Sequence, residues 1–147
     1  MRDSLLRPQG RFVLEVFRDG QLCERVDEPN LIVVGYQAML AQLLGSGLAG
    51  QWAVSQIGFG TSGVTPTFQQ TVLANGFVKA VDGVAYPAAN KVEFAFSLDA
   101  GEANGKAIFE FGLLAGNGTL FARKVRTQAL AKTGDISLSG RWSIEFL

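Results

Sequence analysis

Apolar and polar residues alternate along several short segments of this chain, a period of two residues that is typical of β-strands with one buried face. The alternation is clearest over residues 91–98 and 137–146. The apolar positions there are Val92, Phe94, Phe96, Leu98, Leu138, Trp142, Ile144 and Phe146. We expect these side chains to line one core, and the polar residues between them to face water or a polar partner.

Residues 11–26 are predicted to form a β-hairpin around Asp19-Gly20, a dipeptide that favours tight turns. A two-residue turn would set Glu15 opposite Glu24, whereas one additional loop residue would set Glu15 opposite Arg25. Opposite charges across a strand pair stabilise it, and like charges destabilise it. We therefore predict the register that pairs Glu15 with Arg25.

A longer hairpin is predicted for residues 107–125, with Gly116-Asn117-Gly118 as its loop. The last position of a three-residue loop takes the left-handed conformation, which glycine adopts without steric cost. That loop sets Glu110 opposite Lys124, whereas a two-residue Asn-Gly turn would set Glu110 opposite Val125. We predict the three-residue register because it pairs opposite charges. Both faces of the hairpin are apolar, so it should be central in its sheet or covered by a partner.

One segment departs from the period of two. Residues 35–44 carry apolar side chains at helical spacing before Gly45-Ser46-Gly47, so we predict a helix that ends at these glycines. Further strands are predicted over residues 53–59 and 77–86, with Asp82-Gly83 as the position at which the second could bend. The glycines and the proline of residues 60–67 predict an irregular connection.

These segments predict an all-β fold, mainly an antiparallel β-sandwich, with one short α-helix. No repeat or low-complexity tract divides the chain, so we expect a single domain over residues 1–147. The N-terminal hairpin and the helix would cover about residues 11–45, and the body of the sandwich about residues 53–146.

Composition bears on function mainly through missing residue types. There is no histidine and Cys23 is the single cysteine, which removes the usual general base, the commonest zinc ligand and any intrachain disulfide. Thirteen Lys and Arg balance thirteen Asp and Glu, so no excess of positive charge favours nucleic acid or a membrane surface. We expect no enzyme, no cofactor and no metal, with protein as the partner. The N-terminal residues lack the apolar core of a signal peptide, so we expect synthesis in the cytoplasm.

The segment Gly58-Phe-Gly-Thr-Ser-Gly63 matches the dinucleotide-binding glycine pattern, and Asp82 lies about where a ribose ligand is expected. That chemistry requires a helix whose N-terminus holds the pyrophosphate, inside a βαβ crossover. Here the glycines are followed by Val64-Thr-Pro-Thr67 and more β-pattern chain. We interpret the segment as a glycine-rich connecting loop.

Other motifs also favour structural interpretations. Residues 99–105 gather oxygen ligands as calcium sites do, but they depart from EF-hand spacing and are typical of a solvated turn. Asn117-Gly118-Thr119 matches a glycosylation acceptor, which we interpret as the hairpin turn. Cys23 is expected to be a small packed residue. Trp52 and Trp142 are sugar-stacking candidates, although Trp142 lies on the apolar face of its strand and should pack in the core.

Three pieces of the sequence follow one another in a recognisable order. They are Ile57-Gly-Phe-Gly-Thr-Ser-Gly63, then Thr65-Pro-Thr67 with Gln70-Thr-Val-Leu73, and then Glu110-Phe-Gly-Leu-Leu-Ala-Gly-Asn-Gly-Thr-Leu-Phe-Ala122. From Ile57 to Phe146 this order resembles the tail-collar fibre and baseplate-associated proteins of tailed bacteriophages. The last piece is the specific one, since such proteins tend to carry an acidic residue, a Gly-Leu pair, a tight glycine turn and a returning apolar strand.

The resemblance implies a non-enzymatic structural protein of the phage tail, at the tail tip, baseplate or collar, that helps to attach fibres or receptor-binding proteins. It implies a homo-oligomer in the virion, made in the host cytoplasm, with other tail or fibre proteins as partners. Family members often continue into a long shaft, whereas this sequence ends at Leu147, so we expect an adaptor or baseplate role. A carbohydrate-binding β-sandwich module and a capsid decoration protein are the alternatives.

The two hairpins supply the expected protein interface. Its candidate residues are Phe109, Phe111, Leu113, Phe121, Arg123, Val13 and Phe17. A mean hydropathy of +0.20 with no net charge suits a free monomer poorly, so we expect assembly to cover apolar surface.

Overall fold

The computed structural model describes residues 8–45 and 49–147. Its residues cluster into two compact units. Among the described residues, the first unit comprises 8–30, 81–105 and 132–147, and the second comprises 31–45, 49–80 and 106–131. These units are packing clusters, so the expected single domain stays a prediction.

The described residues form nine strands and two helices. They are β1 (Pro8–Arg18), β2 (Gln21–Ile32), α1 (Gly35–Gly45), α2 (Ala49–Trp52), β3 (Val54–Gly60), β4 (Phe77–Ala80), β5 (Gly83–Ala88), β6 (Lys91–Leu98), β7 (Ala107–Ala115), β8 (Leu120–Ala131) and β9 (Ile136–Phe146). The strand pairings that join them are antiparallel. The predicted all-β class is therefore confirmed, and α2 is a short helix that the sequence pattern did not predict.

In the first unit the strands lie in the order β2-β1-β9-β6-β5. The Phe12 ring packs edge-on against Trp142, with ring centroids 4.8 Å apart, and stacks on Phe96. Trp142 and Ile144 are buried, as predicted, but Phe146 is 39% exposed. The prediction for Phe146 was wrong because β6 begins opposite the preceding residue, so Phe146 has a strand neighbour on one side only.

The N-terminal hairpin has the predicted pairing of Glu15 with Arg25, reached by a different route. Asp19 and Gly20 form a two-residue turn with φ of 52° and 79°, and a bulge at Cys23 then shifts the register by one residue. The expectation that Cys23 is packed was wrong: it is exposed, because the bulge lies on the outer strand of this unit.

In the second unit the order is β4-β3-β7-β8-β2, where β2 contributes Leu31 and Ile32. β7 pairs with β3 on one side and β8 on the other, so the predicted central position of the hairpin is confirmed. In α1 only Met39 is buried among the described residues, and Leu44 is 90% exposed. Of the predicted stop Gly45-Ser46-Gly47, Gly45 is the last residue of α1, and the other two residues lie outside the described residues.

The central hairpin corrects the predicted register. The three-residue loop forms as expected, since Gly118 has a φ of 90° and donates its N–H to the Ala115 carbonyl at 2.9 Å. A bulge at Phe121 then leaves that residue without a partner and shifts the register by one residue. Glu110 therefore lies opposite Val125 and not opposite Lys124. The predicted pairing was wrong because Glu110 forms a buried ion pair with Arg123 instead.

The strand predicted over residues 77–86 is two strands in different units. β4 pairs with β3 in the second unit, and β5 pairs with β6 in the first. The chain leaves one sheet after Ala80 and enters the other at Gly83.

Candidate functional site

A long irregular loop, residues 61–76, connects β3 to β4 in the second unit. Its ends meet, because the Thr61 N–H donates to the Ala74 carbonyl at 2.9 Å. A compact loop with adjoining ends is an Ω-loop, a type of segment that frequently carries function. In its middle, the Phe68 carbonyl accepts a 2.7 Å hydrogen bond from Val34 N–H, and the Phe68 ring packs edge-on against Tyr36. The loop is therefore packed against the rest of the second unit.

Glu110, on β7, holds both ends of this loop. One carboxylate oxygen, Oε2, accepts hydrogen bonds from the backbone N–H of Ser62 at 2.8 Å and of Ala74 at 2.9 Å. The other, Oε1, accepts from Arg123 Nε at 2.8 Å. The carboxylate thus receives three donors in a position with 0% exposure.

Arg123, on β8, extends the same network into the loop interior. Its Nη1 donates to the Val64 carbonyl at 2.8 Å and to Gln70 Oε1 at 2.9 Å, and its Nη2 donates to the Ser62 carbonyl at 3.1 Å. We call the Glu110 and Arg123 side chains the clamp. Both are 1% exposed, and removing charges from water is costly unless each is paired and hydrogen-bonded. The clamp meets that condition, since no buried side-chain nitrogen or oxygen in the described part of the chain lacks a partner.

Leu73 fastens the loop by packing. Gly58 on β3 lies directly opposite Gly112 on β7, and the Leu73 side chain occupies the space that these glycines leave. A Cβ added to Gly58 would lie 2.5 Å from Leu73 Cδ1, and one added to Gly112 would lie 2.9 Å from the same atom. The paired glycines are therefore a receptacle for Leu73.

The remaining glycines of the nucleotide-like pattern also lie where a neighbouring side chain leaves no room for a Cβ. A Cβ on Gly60 would lie 2.5 Å from Glu110 Oε2, and one on Gly63 would lie 3.0 Å from the Phe109 ring. β3 has antiparallel neighbours on both sides and runs from Gly60 into irregular chain. The pattern makes room for the clamp and the loop. Its interpretation as a connecting loop holds from Thr61 onward, whereas Gly58 and Gly60 lie in β3.

The outer side of the loop is uncharged and partly apolar. Val64 is 63% exposed and Val72 is 75% exposed. Between them lie exposed threonine and glutamine side chains, and no Asp, Glu, Lys or Arg occurs anywhere from Pro29 to Val78. The clamp therefore holds in place a loop whose exposed side chains are uncharged.

Four of the seven predicted interface residues are covered by this chain itself. Phe111, Leu113, Phe121 and Arg123 are each at most 4% exposed, so the expectation that they present a surface to a partner was wrong. The other three, Phe109, Val13 and Phe17, are half-buried. The burial follows from the central position of the hairpin, where β3 and β8 flank β7 and the loop covers the clamp.

In the first unit, the ammonium group of Lys132 binds to the loop of residues 99–105 that resembled a calcium site. Lys132 is 1% exposed, and its Nζ donates to Asn104 Oδ1 at 2.8 Å and to the carbonyls of Ala100 and Thr133 at 3.1 and 3.2 Å. Desolvation lowers the pKa of Lys132, against the opposing effect of the Glu102, Asp135 and Asp99 carboxylates. No cluster of three or more metal-binding side chains occurs in the described part of the chain. The ammonium group takes the place that a metal ion would need.

Two of the remaining candidates, Trp142 and Asn117, have structural roles. Trp142 is buried, and its Nε1 donates to Asn30 Oδ1 at 2.8 Å, while Trp52 is half-buried. Asn117 caps the hairpin loop by accepting from Thr119 N–H at 3.0 Å, as its interpretation as a turn predicted.

An open groove of about 320 Å³ on the first unit is lined by Val13, Glu15 and Arg141, among others. Its lining carries charges of both signs, and its aromatic residue, Phe96, is only 1% exposed, so it offers no flat ring on which a sugar could stack.

The sequence did contain a signal for the clamp. Glu110 and Arg123 interrupt apolar strands of a hairpin that was expected to be covered on both faces, and a buried charge requires an opposite charge nearby. Gln70 gave no such signal, because its role depends on where the loop folds.

Comparison of the chain with protein-family models, with curated proteins and with solved structures found no match. No helix in residues 8–45 and 49–147 is long and apolar enough to cross a membrane.

Proposed function

We propose that this chain is a non-enzymatic structural protein of a phage tail, at the tail tip, baseplate or collar, that helps to attach fibres or receptor-binding proteins. One observation carries the proposal. The three sequence pieces that resemble tail-collar proteins meet at the clamp, although the third, which begins at Glu110, is distant in the chain from the first two.

Each piece has a distinct part in that arrangement. The first, Ile57–Gly63, supplies the glycines that leave space for Leu73 and Glu110. The second supplies Gln70, which accepts from Arg123, and Leu73 itself. The third supplies Glu110 and the hairpin that leads to Arg123. A motif order that builds one contiguous structure is stronger support for a resemblance than the same residues scattered over the fold.

The clamp also suits the proposed role physically. A loop that is already ordered loses little conformational entropy on binding, so its exposed valines are available for affinity. Several copies around a tail axis would hold a fibre through individually modest contacts, provided that their geometry allows simultaneous engagement.

The test is incorporation into particles. Val64→Asp combined with Val72→Asp adds two charges to the loop surface and leaves the clamp intact. Val84→Asp is the matched control, because Val84 is 48% exposed and lies on β5 in the other unit. We expect the double variant to fold normally but to leave tails without fibres, and the control to assemble like the original protein. Tails that carry their full set of fibres with the double variant would contradict the proposal.

The location of the chain separates the alternatives. Cryo-electron microscopy of particles carrying a tagged chain should place it at the distal tail, whereas density on the capsid shell would identify a decoration protein. Binding of the purified chain to a glycan array would favour the carbohydrate-binding alternative.

A further inference from the structure

The chain contains five asparagines, and three of them, Asn75, Asn104 and Asn117, are followed by glycine. In such a pair the amide nitrogen of the glycine can attack the asparagine Cγ, because glycine has no Cβ to obstruct the approach. The nitrogen loses its proton and bonds to Cγ, the bond from Cγ to Nδ2 breaks, and ammonia leaves with the proton. Water then opens the cyclic imide to aspartate or isoaspartate. All three asparagines are exposed, so exposure does not distinguish them.

The pair Asn104-Gly105 has both of its reacting groups held in hydrogen bonds. Asn104 Oδ1 accepts from Lys132 Nζ at 2.8 Å, which fixes the side-chain amide. The Gly105 N–H donates to the Lys132 carbonyl at 2.9 Å, which occupies the attacking nitrogen. This pair is therefore protected in the folded chain.

The pair Asn117-Gly118, in the hairpin loop, is protected in the same way. Asn117 Oδ1 accepts from the Thr119 N–H at 3.0 Å. The Gly118 N–H donates to the Ala115 carbonyl at 2.9 Å. Cyclisation at either protected pair would first require two native hydrogen bonds to break.

The pair Asn75-Gly76, at the end of the Ω-loop, lacks this protection. Asn75 Nδ2 is 3.4 Å from Thr61 Oγ1, which is long for a hydrogen bond. Among the described residues, the Gly76 N–H has no hydrogen-bond acceptor. The two groups that must react are thus free to approach each other.

Lys106 further activates this pair. Its Nζ donates to the main-chain carbonyl of Asn75. That carbonyl and the Gly76 N–H belong to the same peptide group, so a positive charge at the oxygen favours loss of the amide proton. The attacking nitrogen therefore has an electrostatic activator that the structure holds in place.

We propose that Asn75 is a site of self-modification, which deamidates in the folded chain while Asn104 and Asn117 stay intact. The product carries a carboxylate in a part of the chain, Pro29 to Val78, that otherwise has no charged side chain. Isoaspartate also adds a methylene group to the main chain directly after Ala74, whose N–H donates to Glu110 Oε2. The end of the Ω-loop thus acquires charge and a longer main chain as the protein ages.

Peptide mapping by mass spectrometry of the purified chain, incubated at mildly alkaline pH, tests the proposal. We expect Asn75 to convert about tenfold faster or more than the other two sites, because each of those must break two hydrogen bonds. In urea the three sites should convert at similar rates, since the fold that protects two of them is lost. Equal rates in the folded chain, or an order that persists in urea, would overturn the proposal. Neither result bears on fibre attachment, which is measured in particles.

Two variants locate the chemistry. Gly76→Ala should fold normally and slow conversion at Asn75, because its Cβ would lie 3.6 Å or more from its neighbours but would obstruct the attack. Lys106→Met should slow conversion in the folded chain and leave the rate in urea unchanged, whereas Lys106→Arg keeps the charge and should retain the folded rate. A folded-state rate that is the same in Lys106→Met as in the original chain would contradict the activation by Lys106.

Discussion

Arg123 lies directly opposite Gly112 in the central hairpin, yet its Nε contacts Glu110 Oε1 at 2.8 Å, one step along the diagonal of the strand pair. Diagonal neighbours on one face of a sheet are within reach of long side chains. Gly112, at the directly opposed position, leaves space for the side chain of Leu73 from the loop. The hairpin and the loop are consequently one cooperative structure.

Breaking the clamp should be costly. We expect Arg123→Met to lower the free energy of unfolding by about 3–5 kcal/mol, because Glu110 would remain buried without its counter-charge. Urea denaturation measures the change. Arg25→Met is the control, since its 3.8 Å contact with Glu15 is exposed to solvent and should contribute less than about 1 kcal/mol. Equal effects at the two sites would contradict the role assigned to burial.

The hairpin loop depends on one left-handed residue. Gly118→Val should destabilise the protein by about 1–2 kcal/mol, because a β-branched side chain resists a φ of 90°. Gly101→Val is the control, as that glycine has open space and no positive φ. Thermal unfolding of both variants decides the matter, and an unchanged Tm for Gly118→Val would argue against this loop geometry.

The core of the first unit centres on Trp142. Trp142→Ala should cost roughly 3–5 kcal/mol, because it removes the ring that packs against Phe12 and leaves a cavity. Phe146→Ala should cost much less, given the exposure of that ring. Chemical denaturation measures the free energy of unfolding of both variants. Equal losses of stability would contradict the central position of Trp142 in this core.

Lys132 should make stability depend on alkaline pH. Its pKa in the folded chain lies below the usual 10.5, so the unfolded chain binds more protons between those two values. The free energy of unfolding therefore gains a contribution that rises with pH across that window. Lys132→Met should remove this contribution, as measured by the difference between the two proteins' stability profiles. Parallel profiles would show that desolvation does not govern this lysine.

The local pattern predicted the elements and missed some of their pairings. Alternation located β6 and β9 to within a residue, because one face of each strand packs into the core and the other meets solvent. The pairing of Glu110 was not predictable from opposed charges alone. The bulge at Phe121 shifts the partners of Ala122 to Val125 by one residue, and it places Arg123 where it can reach the loop.

The loop itself was beyond local reasoning. The segment predicted to be irregular, residues 60–67, is irregular from Thr61 onward, but the partners of Ser62 and Val64 lie on strands that come much later in the chain. The interface prediction failed for the same reason, since burial of Phe111 and Phe121 depends on which elements cover them. Such contacts between distant segments leave no periodic trace in the sequence.

The clamp holds the loop almost entirely by main-chain atoms: Ser62 N and O, Val64 O and Ala74 N, with Gln70 as the one side chain. Every amino acid except proline offers the same N–H and carbonyl groups. Mutations at the outward positions, such as Val64 and Val72, can therefore accumulate without loss of the fold. Under selection for a new partner, the exposed side chains of this loop could change quickly while the sequence of the hairpin beneath it stayed constant. In the laboratory, the same property makes these positions a natural place to randomise when a library of binding variants is wanted.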